Sequence, residues 1–195
     1  MVIETDLVLV ASLVTVAWLH RLERHDIGKT AARAIFAVYF VGVAHYALLP
    51  IRYDPALASE SGAWIPLVGL HPFFLPGGDT MSRDQLFYNI LLGIPFGIGL
   101  PFVRRISVAA VVVAGIAFGL AIEGLQLAFN LMGLALPPWT IDINDEILNA
   151  GGAAFGAAVF AIARTPYRVA FSGAGVSLRV WQHFHSALIG SPSPR

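Results

Sequence analysis

The chain reads as an all-α protein, a polytopic bundle of about five transmembrane helices. Two observations carry that expectation. Of 195 residues, 57% are hydrophobic and only 12% are charged, whereas soluble domains carry roughly 25% charged residues. So few charges cannot solvate a globular surface. The apolar residues are also gathered into runs bounded by charge, and about 20 such residues cross the hydrocarbon core of a bilayer.

The runs give five spans. The first covers 7–19, a short apolar core between Glu4 and Asp6 on one side and His20-Arg21 on the other. The second covers 31–49, the third 86–103, the fourth 107–129 and the fifth 147–163. No basic residue precedes the first run and no small-x-small cleavage site follows it, so it reads as a span rather than a cleaved signal peptide. Residues 1–165 then form the transmembrane domain. Between spans two and three, a loop over 50–85 contains Pro50, Pro55, Pro66, Pro72 and Pro76 with Trp64, Phe73 and Phe74. Proline at that density disfavours long helices, and the aromatics suit headgroup level, so the loop is expected at the outer interface, either as a lid or as simple anchoring. Gly77-Gly78-Asp79 reads as a turn and His71 as a loop histidine. From 166 to 195 the chain becomes a tail in which Val180, Trp181, Phe184 and Leu188 share one side of a short amphipathic helix on the inner leaflet. Its Ser-Pro-Ser-Pro ending is expected to be disordered. His183 and His185 alone, two apart, are poor metal ligands.

Basic residues orient the bundle. Arg21, Arg24, Lys29 and Arg33 lie between spans one and two, Arg104 and Arg105 between three and four, and Arg164, Arg168, Arg179 and Arg195 after five; only Arg52 and Arg83 of the twelve basic residues fall on the other side. Under the positive-inside rule the N-terminus is outside and the C-terminus cytoplasmic. With a net charge of zero and no Cys, the chain offers neither a nucleic-acid footprint nor a thiol or disulfide site.

Three spans carry Gly-x-x-x-Gly with an acid or amide on the same helical face: Asn89-Gly93-Gly97, Gly115-Gly119-Glu123 and Asn149-Gly152-Gly156. Such glycines let helices approach closely in lipid, within one chain or between chains, which leaves a homo-oligomer open. Glu123 lies roughly 27 Å beyond Arg105 at about 1.5 Å per residue, near the outer edge of the core. Asn89 and Asn149 come early in outside-to-inside spans and His45 late in an inside-to-outside one, so all gather at the outer end. In Trp139-Thr-Ile-Asp-Ile-Asn-Asp-Glu-Ile-Leu-Asn149, helical spacing puts Asp142, Asp145 and Asn149 on one face. The candidate ligand-binding residues are therefore Glu123, Gln126, Asp142, Asp145, Asn149, Asn89 and His45, since polar groups inside a membrane bundle are functional candidates. Two plainer roles stay open, Asp142 as a helix cap and Glu123 as a buried acid held by the bundle.

The run Tyr88-Asn-Ile-Leu-Leu-Gly-Ile-Pro-Phe-Gly97, with Glu123-Gly-Leu-Gln126, Asp142-Ile-Asn-Asp145, Asn149-Ala-Gly-Gly152 and Gly156, resembles the VanZ-like membrane proteins over about residues 48–163. That resemblance implies a multi-pass protein of the bacterial cytoplasmic membrane, with glycopeptide (teicoplanin) resistance in the family's namesake. The family commonly has an Arg where this chain has Trp139, which puts in doubt any anion-binding role tied to it unless Arg52 or Arg83 substitutes.

Two function classes follow. The first is a non-catalytic envelope protein that contacts membrane lipids and binds a headgroup, a peptidoglycan precursor or a glycopeptide antibiotic at its outer polar cavity, with no cofactor. The second is an intramembrane enzyme using Glu123 or Asp145 as general base, with Asp142, Asp145, Glu123 and His45 as the residues nearest to a divalent-cation site. No Ser-His, Cys-His or His-Glu-x-x-His arrangement supports the second. Five spans without an evident inverted repeat argue against a transporter.

Overall fold

A computed structural model describes residues 2–3, 5–22, 27–49, 51–52, 68–72, 82–134, 139–173, 175 and 178–190. Among these lie six helices, α1 Thr5–Leu22, α2 Ile27–Ala47, α3 Arg83–Val103, α4 Val108–Leu131, α5 Ile143–Phe171 and α6 Arg179–Ile189. Four two-residue strands accompany them, β1 Val2–Ile3, β2 Ile51–Arg52, β3 Val68–Gly69 and β4 Ile141–Asp142. The helices α2 to α5 are long and apolar enough to cross a membrane. In α1 the apolar stretch is shorter, Leu9–Trp18. Most of the 50–85 loop, including Trp64, Phe73, Phe74 and the Gly77-Gly78-Asp79 turn, and the Ser-Pro-Ser-Pro ending lie outside the described residues.

Local chemistry sets where the helices begin. Ser82 Oγ accepts from Gln85 N at 3.1 Å and Ser107 Oγ from Ala110 N at 3.2 Å, each satisfying one of the N–H groups a helix start leaves without a partner. Thus α3 starts at Arg83, three residues before the apolar run expected at 86. The fifth helix departs more from expectation, running from Ile143 past Ala163 and through Pro166 to Phe171. A proline inside a helix costs about 3 kcal/mol, and contacts with α6 offset it. Tyr167 Oη lies 2.8 Å from His185 Nδ1, and Arg164 Nε donates to Leu188 O at 3.0 Å.

The sheet pairs fix the ends of the bundle. β1 and β2 are antiparallel, with Val2 opposite Arg52, so the first residues lie at the end where α2 finishes and α1 runs back along α2. β3 and β4 are parallel, with Gly69 opposite Asp142, which ties part of the 50–85 loop to the start of α5.

Packing is inverted relative to a soluble domain. Val14, Ile35, Val113, Leu120, Phe155, Ile162 and Val169 are exposed, whereas Asn89, Glu123, Gln126, Asn130, Asp142, Asn144, Glu146 and Asn149 are buried. An apolar exterior around buried polar groups suits lipid as solvent. α3 and α5 form the tightest seam. A β-carbon on Gly152 would lie 3.0 Å from Gly93 Cα and overlap the Ile90 carbonyl oxygen, and one on Gly156 would overlap that of Ile94. Gly93 and Gly97 abut the carbonyls of Asn149 and Ala153 in the same way. Beside this seam, Phe96 stacks on Phe118 at 4.7 Å with Phe36, Tyr39 and Phe40 around them. Tyr39 satisfies its hydroxyl there by donating to Leu92 O at 2.5 Å.

At the opposite end α6 caps the bundle. His183 Nε2 donates to Phe102 O at 2.7 Å, and its Cβ occupies the space that a side chain at Gly28 would take. Ser186 is buried and accepts from Arg105 Nη2 at 3.3 Å. On the apolar side, Phe184 packs on Phe102 while Trp181 stays exposed.

Candidate functional site

Four helix ends converge away from α6: the end of α2, the first two turns of α3, the last turns of α4 and the first two turns of α5. Three of them contribute polar residues one helical turn apart, so that each pair shares a face: Gln85 and Asn89 from α3, Glu123 and Gln126 from α4, Asp145 and Asn149 from α5. These six line a cleft of about 180 Å3 together with Tyr46, Ala47, Leu92, Ile122 and Trp139. That volume is below the roughly 300–1,000 Å3 of pockets enclosing drug-sized ligands.

Hydrogen bonds fix the walls. Asp145 Oδ1 accepts from Gln85 Nε2 at 3.0 Å and from Asn89 Nδ2, which locks α5 to α3. Glu123 Oε2 accepts from Asp142 N at 3.2 Å, which holds the strand entering α5 against α4. Gln126 Nε2 donates to Ala47 O at 3.0 Å, so the last carbonyls of α2 are gathered in as well. Asn130 holds the backbone of Trp139 by both its polar groups, its Nδ2 donating to Trp139 O at 2.7 Å and its Oδ1 accepting from Trp139 N at 2.9 Å. What remains unmet is on the acceptor side: among the described residues Gln126 Oε1 and Asn149 Oδ1 are buried without a partner. Two acidic residues and two amides whose buried oxygens lack a partner belong to the lining, which contains no Lys, Arg or His.

Two of the seven candidates stand outside the lining. His45 is exposed and does not line the cleft: Val43 and Ala47 face inward at i and i+4, and a residue midway between them is turned to the opposite side of the helix. Asp142 sits beside the cleft as the N-cap of α5, its Oδ1 accepting from Asn144 N at 3.0 Å and Asn144 Nδ2 at 2.7 Å while its Oδ2 has no partner. Among the described residues no three His, Asp or Glu side chains are grouped as they would be to hold a metal ion.

Five residues of the polar end went unread as candidates. Gln85 and Trp139 line the cleft. Asn130 continues the Glu123/Gln126 face one turn further, and that spacing could have found it. Asn144 joins the 50–85 loop by donating to His71 O at 3.4 Å. Glu146 is buried with both carboxylate oxygens unpartnered, directly over the bare Cα of Gly119.

No curated protein and no solved structure matches the chain. A family model described as VanZ/LLP1 matches residues 36–164, which take in α3, α4, most of α2 and α5 and every side chain that lines the cleft. By that match over well more than half its length, the chain belongs to the VanZ/LLP1 family.

Proposed function

We propose that this VanZ/LLP1-family membrane protein spans the bacterial cytoplasmic membrane five times, N-terminus outside, and receives a polar group in the cleft at its outer end. The group belongs to a lipid headgroup, a peptidoglycan precursor or a glycopeptide antibiotic, and binding it contributes to glycopeptide (teicoplanin) resistance. One observation carries this reading: polar residues from three helices meet at one end of an otherwise apolar bundle, in a cleft where buried amide oxygens lack partners. An unpartnered buried polar atom costs about 1–3 kcal/mol, so a cleft built with two is suited to a ligand that satisfies them. Its size fits a terminal group rather than a whole antibiotic.

Orientation rests on the basic residues, of which Arg104, Arg105, Arg164 and Arg168 lie at the α6 end and away from the cleft. Span number rests on α1 returning along α2 from the β1–β2 pair. An enzyme using Glu123 or Asp145 as base is supported less well, because the cleft lining offers no Ser, Thr, Cys or His.

The test is thermal unfolding of the purified protein in detergent with teicoplanin, lipid-linked peptidoglycan precursor, phospholipids and divalent cations, for wild type, Glu123→Gln and Asp145→Asn. A ligand of the folded state raises Tm by mass action, by about 2.7 kcal/mol of stability at 100 times Kd. The expected result is a shift with one of these compounds that both substitutions abolish. If every shift survives both substitutions, the cleft is not where binding occurs.

A further inference from the structure

The lining of the cleft specifies what the bound group must carry. Gln126 and Asn149 are 9% and 2% exposed, and each leaves its amide oxygen unpartnered. The Gln126 amide is held in that sense by its donation to Ala47 O, so its oxygen, not its nitrogen, is the atom without a partner. Glu123 and Asp145 line the same space, as do Tyr46 and Trp139. An anionic group would meet two carboxylates there without a basic side chain in the lining. A group with N–H donors and positive charge meets the opposite: unpartnered oxygens to accept its hydrogens, acidic residues to balance its charge, and two aromatic residues, a type that attracts cations.

Access also has a direction. Tyr46 and Tyr88 lie with ring centroids 5.2 Å apart, and they and the neighbouring Leu86 and Phe87 are exposed on the outside of α2 and α3. Apolar and tyrosyl side chains at a helix end suit the headgroup level of a bilayer, so the rim faces lipid.

Building on the binding reading above, we propose that the cleft is a receptor for the primary ammonium group of an aminophospholipid headgroup, held by Glu123, Gln126, Asp145 and Asn149. Three N–H donors on one nitrogen match the unmet oxygens, which a quaternary ammonium cannot do.

The test uses the full chain, delipidated in dodecylmaltoside and titrated with dioleoyl phosphatidylethanolamine, phosphatidylcholine and phosphatidylglycerol, with binding read by native mass spectrometry. Phosphatidylethanolamine is expected to bind about tenfold or more tighter than either of the others, as loss of hydrogen bonds to charged groups implies. In Glu123→Gln and Gln126→Ala that preference is expected to collapse. Equal binding of the ethanolamine and choline lipids by wild type overturns the proposal whether or not the variants fold, because the acyl chains are the same. Soluble glycerophosphoethanolamine binding as tightly as the lipid overturns the lipid source. Absence of any preference, together with a teicoplanin or precursor shift that Asp145→Asn removes, sinks the ammonium inference and leaves the binding reading intact. Where neither lipid preference nor any shift responds to the cleft substitutions, both fail.

Discussion

Asn130 uses both ends of its amide on the backbone of one residue, Trp139, and so connects the end of α4 to the segment that enters α5. Replacing it by Ala leaves the N–H and the carbonyl of that residue without their partner, which is expected to lower stability by about 1–3 kcal/mol. Asn130→Asp retains the acceptor for Trp139 N but sets an oxygen against Trp139 O and buries a charge, so its loss is expected to equal or exceed that of Asn130→Ala. Thermal unfolding in detergent measures both, and equal stability of all three proteins would show the bracket to be idle. Residues of this kind mark the limit of legibility at this scale. Glu123 and Gln126 stand out because each is polar in an apolar run and they lie one turn apart. Asn130 shares their face, but its partner is a backbone group across a turn whose path no spacing rule gives. Glu146 is hidden for another reason: it follows Asp145, and a rotation of about 100° per residue turns it from the cleft into the α4–α5 interface over Gly119. His45 fails conversely, since depth along α2 was legible and rotation about it had to be read from Val43 and Ala47.

At the scale of elements, glycines separate into those pressed on backbone and those facing open space. Gly152→Ala and Gly97→Ala would drive a methyl group into the Ile90 and Ala153 carbonyls, atoms that cannot swing aside. Overpacking of this sort costs about 1–3 kcal/mol or more. Gly119→Ala meets only the end of the Glu146 side chain, which can rotate away, and is expected to cost less. Gly124 and Gly151 have nothing within 4 Å of a β-carbon, and their Ala variants are expected to stay within about 0.5 kcal/mol of wild type, as exposed positions generally do. Denaturant unfolding in mixed micelles ranks the series; a Gly151→Ala loss equal to that of Gly152→Ala would contradict the seam. Helix existence was legible from hydropathy, while helix ends were not. Ser82 and Asp142 extend α3 and α5 beyond their apolar runs because caps act on backbone N–H groups irrespective of hydropathy. Pro166 failed to end α5 because contacts with α6 outweigh a local preference.

For the whole molecule, composition and the distribution of basic residues carry most of what can be known in advance, since lipid demands an apolar exterior and the potential-bearing membrane sorts Lys and Arg. The β1–β2 pair was not foreseeable, because two-residue strands leave no period in the sequence, yet it decides how α1 is placed: Val2 lies opposite Arg52, just beyond α2. If α1 crosses the membrane alongside α2, Thr5 and Thr140 emerge on the outer face and Ser172 on the inner. The chain has no Cys, so Thr5→Cys, Thr140→Cys and Ser172→Cys each create a single thiol for labelling in intact cells with a membrane-impermeant maleimide. Cysteines at 5 and 140 are expected to label without permeabilisation and that at 172 only after it. Labelling of 140 but not 5 in intact cells would leave four spans with α1 on the inner side, and the cleft would keep its outward position. Labelling of 172 alone would invert the bundle, moving Glu123, Gln126, Asp145 and Asn149 to the inner leaflet, where a glycopeptide in the medium could not reach them. Accessibility of position 140 therefore decides which leaflet supplies the group that the cleft receives.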